Sequence, residues 1–199
     1  MVTFRAVLVL LLVLGCAAAV AQTPPVRVRG TIEKLDNSLL TVKTPSGTTD
    51  IKLADNFSVN GVTPASLADV TPGKFVGIAA VPHGDGPEAA LEVLIFPDNM
   101  RGTGEGRYPW DLQPESTMTN ATVADIVTAA KDHVLTLRHK GGEQKISVAD
   151  GVPIVTFVPS DRSALTPGAS VFVIAMRQPD GSLTAARVNV GLKGLVPPM

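Results

Sequence analysis

The chain has 199 residues with 17 Lys+Arg against 18 Asp+Glu, a formal charge of −1, which offers no broad electrostatic attraction for nucleic acid and argues against that partner. Cys16 is the only cysteine, so no intrachain disulfide can form and stability has to come from packing. Aromatic residues make up 4% of the chain, with one Trp and one Tyr, so the position of each large ring carries information.

Residues 1–21 hold a single cation, Arg5, then an apolar run from Ala6 to Leu14, then small residues through Ala21, the layout of a secretory signal. The run is too short to span a bilayer. Two processing routes remain open: cleavage after Ala19-Val20-Ala21, or lipidation of Cys16 in the lipobox-like Val13-Leu14-Gly15-Cys16. The expected address is the periplasm or outside the cell, with membrane attachment only if Cys16 is acylated.

The rest of the chain repeats itself. Positions 40–95 overlay 135–190 without a gap, with 16 identities in 56 positions, among them Leu40/Leu135, Ile51/Ile146 and Thr71-Pro72-Gly73/Thr166-Pro167-Gly168. Such spacing of turn residues reads as a tandem duplication. Domain limits follow as a first repeat over 22–96, a linker over 97–121 and a second repeat over 122–199.

In each repeat apolar and polar residues alternate in short runs bounded by Gly, Pro, Asn and Asp, the pattern of half-buried strands. The first repeat predicts strands at 26–34, 39–43, 49–53, 74–81 and 89–96; the second predicts 122–128, 134–138, 143–148, 169–176 and 183–190. Asp36-Asn37, Lys131-Asp132, Pro45-Ser46-Gly47, Lys140-Gly141-Gly142, Asp85-Gly86 and Asp180-Gly181 supply the hairpin turns. Between the third and fourth strands a short helical turn is expected to start at Thr63-Pro64 and again at Ser160-Asp161. Leu40, Val42, Ile51, Leu53, Val76, Ile78, Val93 and Ile95 should fill a first core, and Leu135, Leu137, Ile146, Val148, Val171, Val173, Val188 and Val190 a second.

Three strands, a helical turn and a closing hairpin is the order of a five-stranded barrel of the OB type. The fold class is therefore all-β: two tandem OB-like barrels related by internal duplication, behind a signal segment. The string Gly30-Thr31-Ile32 through Leu40-Thr41-Val42-Lys43, with the later Pro-Gly and Asp-Gly turns, resembles a family of short OB-like domains of unknown function in exported bacterial proteins. That resemblance implies a fold and an envelope location, and carries no catalytic residues. The second repeat departs from it, with Asp125 placed against Gly30.

Candidate chemistry is sparse. The linker holds Arg107-Tyr108-Pro109-Trp110-Asp111, and Tyr108, Trp110, Arg101 and Arg107 could line a groove between the barrels, where stacked rings beside cations suit a glycan or anionic polymer. A structural role for Trp110, packing the linker down, is the competing reading. A metal site would draw on His83, Asp85, Met100 and Met118, which have no recognisable ligand spacing. Asp55 and Asp150 are symmetric, but each follows a strand where an Asx turn wants that side chain. No nucleophile-elbow motif is present and no cofactor is expected. The sequence points to a non-enzymatic binding or structural module, with an envelope protein or glycan as partner; a metal-handling accessory protein and a lipid-anchored scaffold are the alternatives.

Overall fold

The structure is a computed structural model that describes residues 24–128 and 132–199; the expected signal segment over 1–21, Cys16 and Lys131 lie outside the described residues. Twelve strands run in chain order: β1 (Val26–Asp36), β2 (Leu39–Thr44), β3 (Gly47–Pro64), β4 (Phe75–Val81), β5 (Glu88–Ile95), β6 (Gly106–Pro109), β7 (Thr117–Thr128), β8 (Asp132–His139), β9 (Gly142–Ala149), β10 (Ile154–Ser160), β11 (Ser170–Arg177) and β12 (Leu183–Gly191). The described residues hold no α-helix, and no helix long and apolar enough to cross a membrane.

All sixteen residues expected in the two cores are buried. They are not, however, partitioned by repeat. β1, β2 and β3 of the first repeat close a ring with β11 and β12 of the second, through β1–β11, β11–β12 and a parallel β3–β12 ladder. The other ring joins β7, β8 and β9 to β4 and β5, closed by a short parallel β5–β9 ladder. Leu40, Val42, Ile51 and Leu53 thus pack with Val171, Val173, Val188 and Val190. Val76, Ile78, Val93 and Ile95 pack with Leu135, Leu137, Ile146 and Val148. The boundaries 22–96 and 122–199 mark the sequence repeats but not the barrels, because each barrel borrows its last hairpin from the other repeat.

Several local expectations are corrected. β3, expected only over 49–53, runs on through Val59–Pro64 and pairs there with β10, a strand the periodicity missed. Asp55 lies within β3, not in a turn; Asp150 does sit in one. The first helical turn is a 3-10 turn at Leu67–Asp69 capped by Ser66, later than Thr63-Pro64, because Thr63 and Pro64 are held in the β3–β10 ladder. The second, at Arg162–Ala164, is capped by Asp161, whose carboxylate accepts from Ser163 N at 2.7 Å.

The position matching Gly30 is Ala121, not Asp125. Gly30 faces Val171 across β1–β11, and Ala121 faces Val76 across β4–β7. The first strands of the two repeats therefore correspond at an offset of 91, and each carries one bulge at the same place, after Ile32 and after Val123. Turn glycines behave as the sequence suggests: Gly73 and Gly168 both have φ of 89°, a region that side chains with a Cβ rarely adopt.

Candidate functional site

Alternation along β4 and β5 turns Val76, Ile78, Val93 and Ile95 into the second barrel and leaves the other face to meet the first barrel. That second face carries Phe75, Leu94 and Phe96, which join Val62, Val155, Phe157, Phe172 and Met199 in a third apolar cluster between the barrels. Phe96 stands 5.3 Å from Phe75 and 6.0 Å from Phe157, centroid to centroid, both in tilted or edge arrangements that aromatic pairs favour.

Residues 97–116 run across this cluster as a strap. Gly102 and Gly104, with φ of 84° and 57°, turn the chain back, and β6 then pairs with the start of β7, Tyr108 opposite Met118. Trp110 N donates to Ser116 O at 2.7 Å and closes the next turn. The Trp110 ring reaches the first barrel, 6.1 Å from Phe172, with the Arg27 guanidinium 3.9 Å over its face. Asp111 accepts from Arg29 Nη2 at 2.6 Å, and Arg29 Nε donates to Met199 O. Burial works against the Asp111 carboxylate, but the Arg29 hydrogen bond and the Arg29 and Arg27 charges outweigh it and hold its pKa below the usual carboxylate value.

Between the strap and the barrels lies a cavity of about 230 Å³. Leu94, Phe96, Phe157 and Phe172 line it from the barrels; Met100, Tyr108 and Trp110 line it from the strap, with Met118 and Met199 beside them. Thr103, Gly104, Ile174 and Arg187 are exposed and mark its rim. Polar groups are few. Asn120 Nδ2 donates to Tyr108 Oη and to Thr103 O, both at 3.1 Å, while the buried Trp110 Nε1 has no partner among the described residues. Burial raises the Tyr108 pKa, and the nearby Arg27 charge opposes that rise.

The residues expected from sequence divide cleanly. Tyr108 and Trp110 line the cavity, and Trp110 also packs the strap down, so its two readings meet in one side chain. Arg101 instead donates to Gly73 O at 2.8 Å and fixes the strap to the second barrel. Arg107 is ion-paired with the buried Glu88 at the end of that barrel. The cations beside Trp110 are Arg27 and Arg29, which the linker sequence alone could not reveal. Met100 and Met118 meet at the cavity, but His83 and Asp85 are exposed in the β4–β5 turn, so the four are not brought together. Among the described residues no three His, Cys, Asp or Glu side chains form a metal cluster. No family model, curated protein or solved structure matches the chain.

One group was missed altogether. Glu92, on the outer face of β5 opposite Ala79, is 0% exposed, and neither carboxyl oxygen has a hydrogen-bond partner among the described residues. Burial pushes its pKa up to about 8, against a lowering from the Arg29 charge, so at neutral pH the carboxyl is mostly protonated. In sequence it is the one charged residue of the strand expected over 89–96, where alternation turns it away from the barrel core. Only Arg187 at the repeat-equivalent position signals that this site differs between the two halves.

Proposed function

We propose that this chain is an exported, non-enzymatic binding module built from two duplicated OB-like barrels, and that its ligand site is the cavity between them. The observation that carries this reading is the cavity itself: a half-open, mostly apolar space at the junction of two barrels, roofed by the chain's only Trp and Tyr. Concave, mostly apolar spaces with a few polar groups are the usual form of small-molecule sites. At about 230 Å³ it exceeds the roughly 150 Å³ that holds a benzene ring. A monocyclic aromatic or short alkyl body fits, with a polar end toward Asn120 or Arg187; the lining favours this over a glycan or polyanion.

Export is supported by the layout of residues 1–21, and duplication by ladder registers that recur between the repeats, as in Leu40 opposite Ile51 and Leu135 opposite Ile146. The test is a thermal-shift screen of the purified protein against small aromatics, short fatty acids, glycans and divalent metals. Small aromatics or fatty acids should raise the melting temperature, because a ligand that binds the native state stabilises it. Leu94→Trp, which fills the cavity, should abolish the rise. A rise confined to glycans or metals, or one that survives Leu94→Trp, would contradict the reading.

A further inference from the structure

The two barrels differ at one matching place. In the second barrel the first part of β7 has neighbours on both sides: β4 on one, and β6 on the other, with Gly106 opposite Asn120 and Tyr108 opposite Met118. In the first barrel the matching part of β1, Val26–Arg29, pairs with β11 on one side only; β2 joins β1 from Thr31 onward. Among the described residues no strand occupies the side that β6 fills in the other barrel. A cleft of about 660 Å³ lies there, lined by Val26–Arg29, by the tip of the β2–β3 hairpin and by Arg177 and Leu183.

The polarity of this edge follows from the backbone. Ile32 N donates to Ala169 O and Ile32 O accepts from Gly168 N, each at 2.9 Å, so Ile32 points its main-chain groups toward β11. Successive residues of a strand point these groups to opposite sides, and no bulge interrupts the register from Val26 to Thr31. Arg27 and Arg29 therefore aim their N–H and C=O groups into the cleft. Unpaired strand edges of this kind are templates for adding a strand.

We infer that the free edge of β1 is a docking site for an extended acidic peptide segment of a partner protein, added as an antiparallel strand in the register that β6 shows on β7. The internal template sets the side-chain preferences. Arg107 of β6 meets Glu88, and the residue 95 positions after Glu88 is Leu183, buried at the cleft wall, so the inserted position should be apolar. Charge sets the rest. The Arg177 guanidinium bonds only to the Gly181 carbonyl, at 3.2 Å, and no carboxylate pairs with it among the described residues, whereas Asp50 is the one acidic residue of the lining.

The probe is a short peptide with the core Gly-Leu-Glu-Pro flanked by Glu, compared with the same peptide carrying Lys in place of every Glu. Amide hydrogen exchange of the purified protein reads the docking. The acidic peptide should slow exchange at Arg27 and Arg29 while leaving Met118 and Asn120, already paired with β6, unchanged. The lysine peptide should bind about fivefold more weakly, and Arg177→Glu should invert that preference. The proposal is overturned if neither peptide protects Arg27 and Arg29, if both bind alike, or if these amides are already slow in the free protein and quicken on dilution, which would assign the edge to a second copy of the chain.

Discussion

Val62 and Phe157 stand opposite each other in the antiparallel ladder between β3 and β10, and they are 95 positions apart, the interval that separates the two repeats. The ladder therefore maps onto itself when the repeats are interchanged: Pro64 faces Val155 as Pro159 faces Asn60. This is the seam where the chain crosses from one barrel to the other, and the cavity and its apolar wall lie against it.

Exchange of hairpins makes the repeats interdependent. A fragment ending at residue 96 carries β1–β3 without β11–β12, and β4–β5 without β7–β9. Such a fragment should not fold as a monomer: it should be unstructured by circular dichroism, or pair into a dimer in sedimentation. A stable folded monomer of residues 22–96 would contradict the strand exchange.

The buried Glu92 predicts an inverted pH response. Its folded pKa, about 8, lies above the unfolded value near 4.5, so the native state holds a proton that the unfolded chain has lost between those values. The contribution to stability is fully present below pH 4.5 and is lost as pH rises through about 8. At roughly 1.4 kcal/mol per pKa unit the loss is on the order of 5 kcal/mol. Urea denaturation at pH 5, 7 and 9 should show stability falling with pH, and Glu92→Gln should flatten that fall.

Trp110 joins the strap to the first barrel through Phe172 and Arg27. Trp110→Ala should cost about 3 kcal/mol in chemical denaturation, the range for removing a large packed aromatic. Arg101→Ala, which removes a hydrogen bond at the exposed far side of the strap, should cost no more than about 1 kcal/mol. Equal costs would mean that the strap is held by its ends rather than by the ring.

Gly30 has no room for a methyl group: a Cβ there would sit 2.1 Å from the Lys43 carbonyl oxygen. Gly30→Ala should destabilise by about 2–3 kcal/mol through forced separation of β1 from β2. The reverse change at the matching position, Ala121→Gly, should cost only about 1 kcal/mol, from backbone freedom and one lost methyl. Melting curves of the two variants check the asymmetry.

How much of this was legible in the sequence depended on whether the signal was local. Period-two alternation and turn residues located ten strands, and they placed Leu40 through Val190 correctly inside, because burial on one face is written into each strand separately. Partner choice is not written there. Val76 and Val171 are both valines on inward faces, and nothing local distinguishes a hairpin that closes on its own repeat from one that closes on the other. β6 and β10 were missed because Gly106, Pro109 and Pro159 read as breakers, although Pro is tolerated at strand ends and edges. For the site, Tyr108 and Trp110 stood out by rarity. Arg27, Arg29 and Glu92 did not, since their importance arises only from what the second barrel and the strap place against them.

The most direct test of the cavity as a ligand site is a titration of protein labelled with 13C at the methionine methyl groups, followed by NMR with indole as the probe. Met100, Met118 and Met199 line the cavity, whereas Met176 is 45% exposed and is not among its lining residues. The account predicts saturable ring-current shifts at the first three methyls and none at Met176. Shifts spread over all four, or absent from the three, would contradict it.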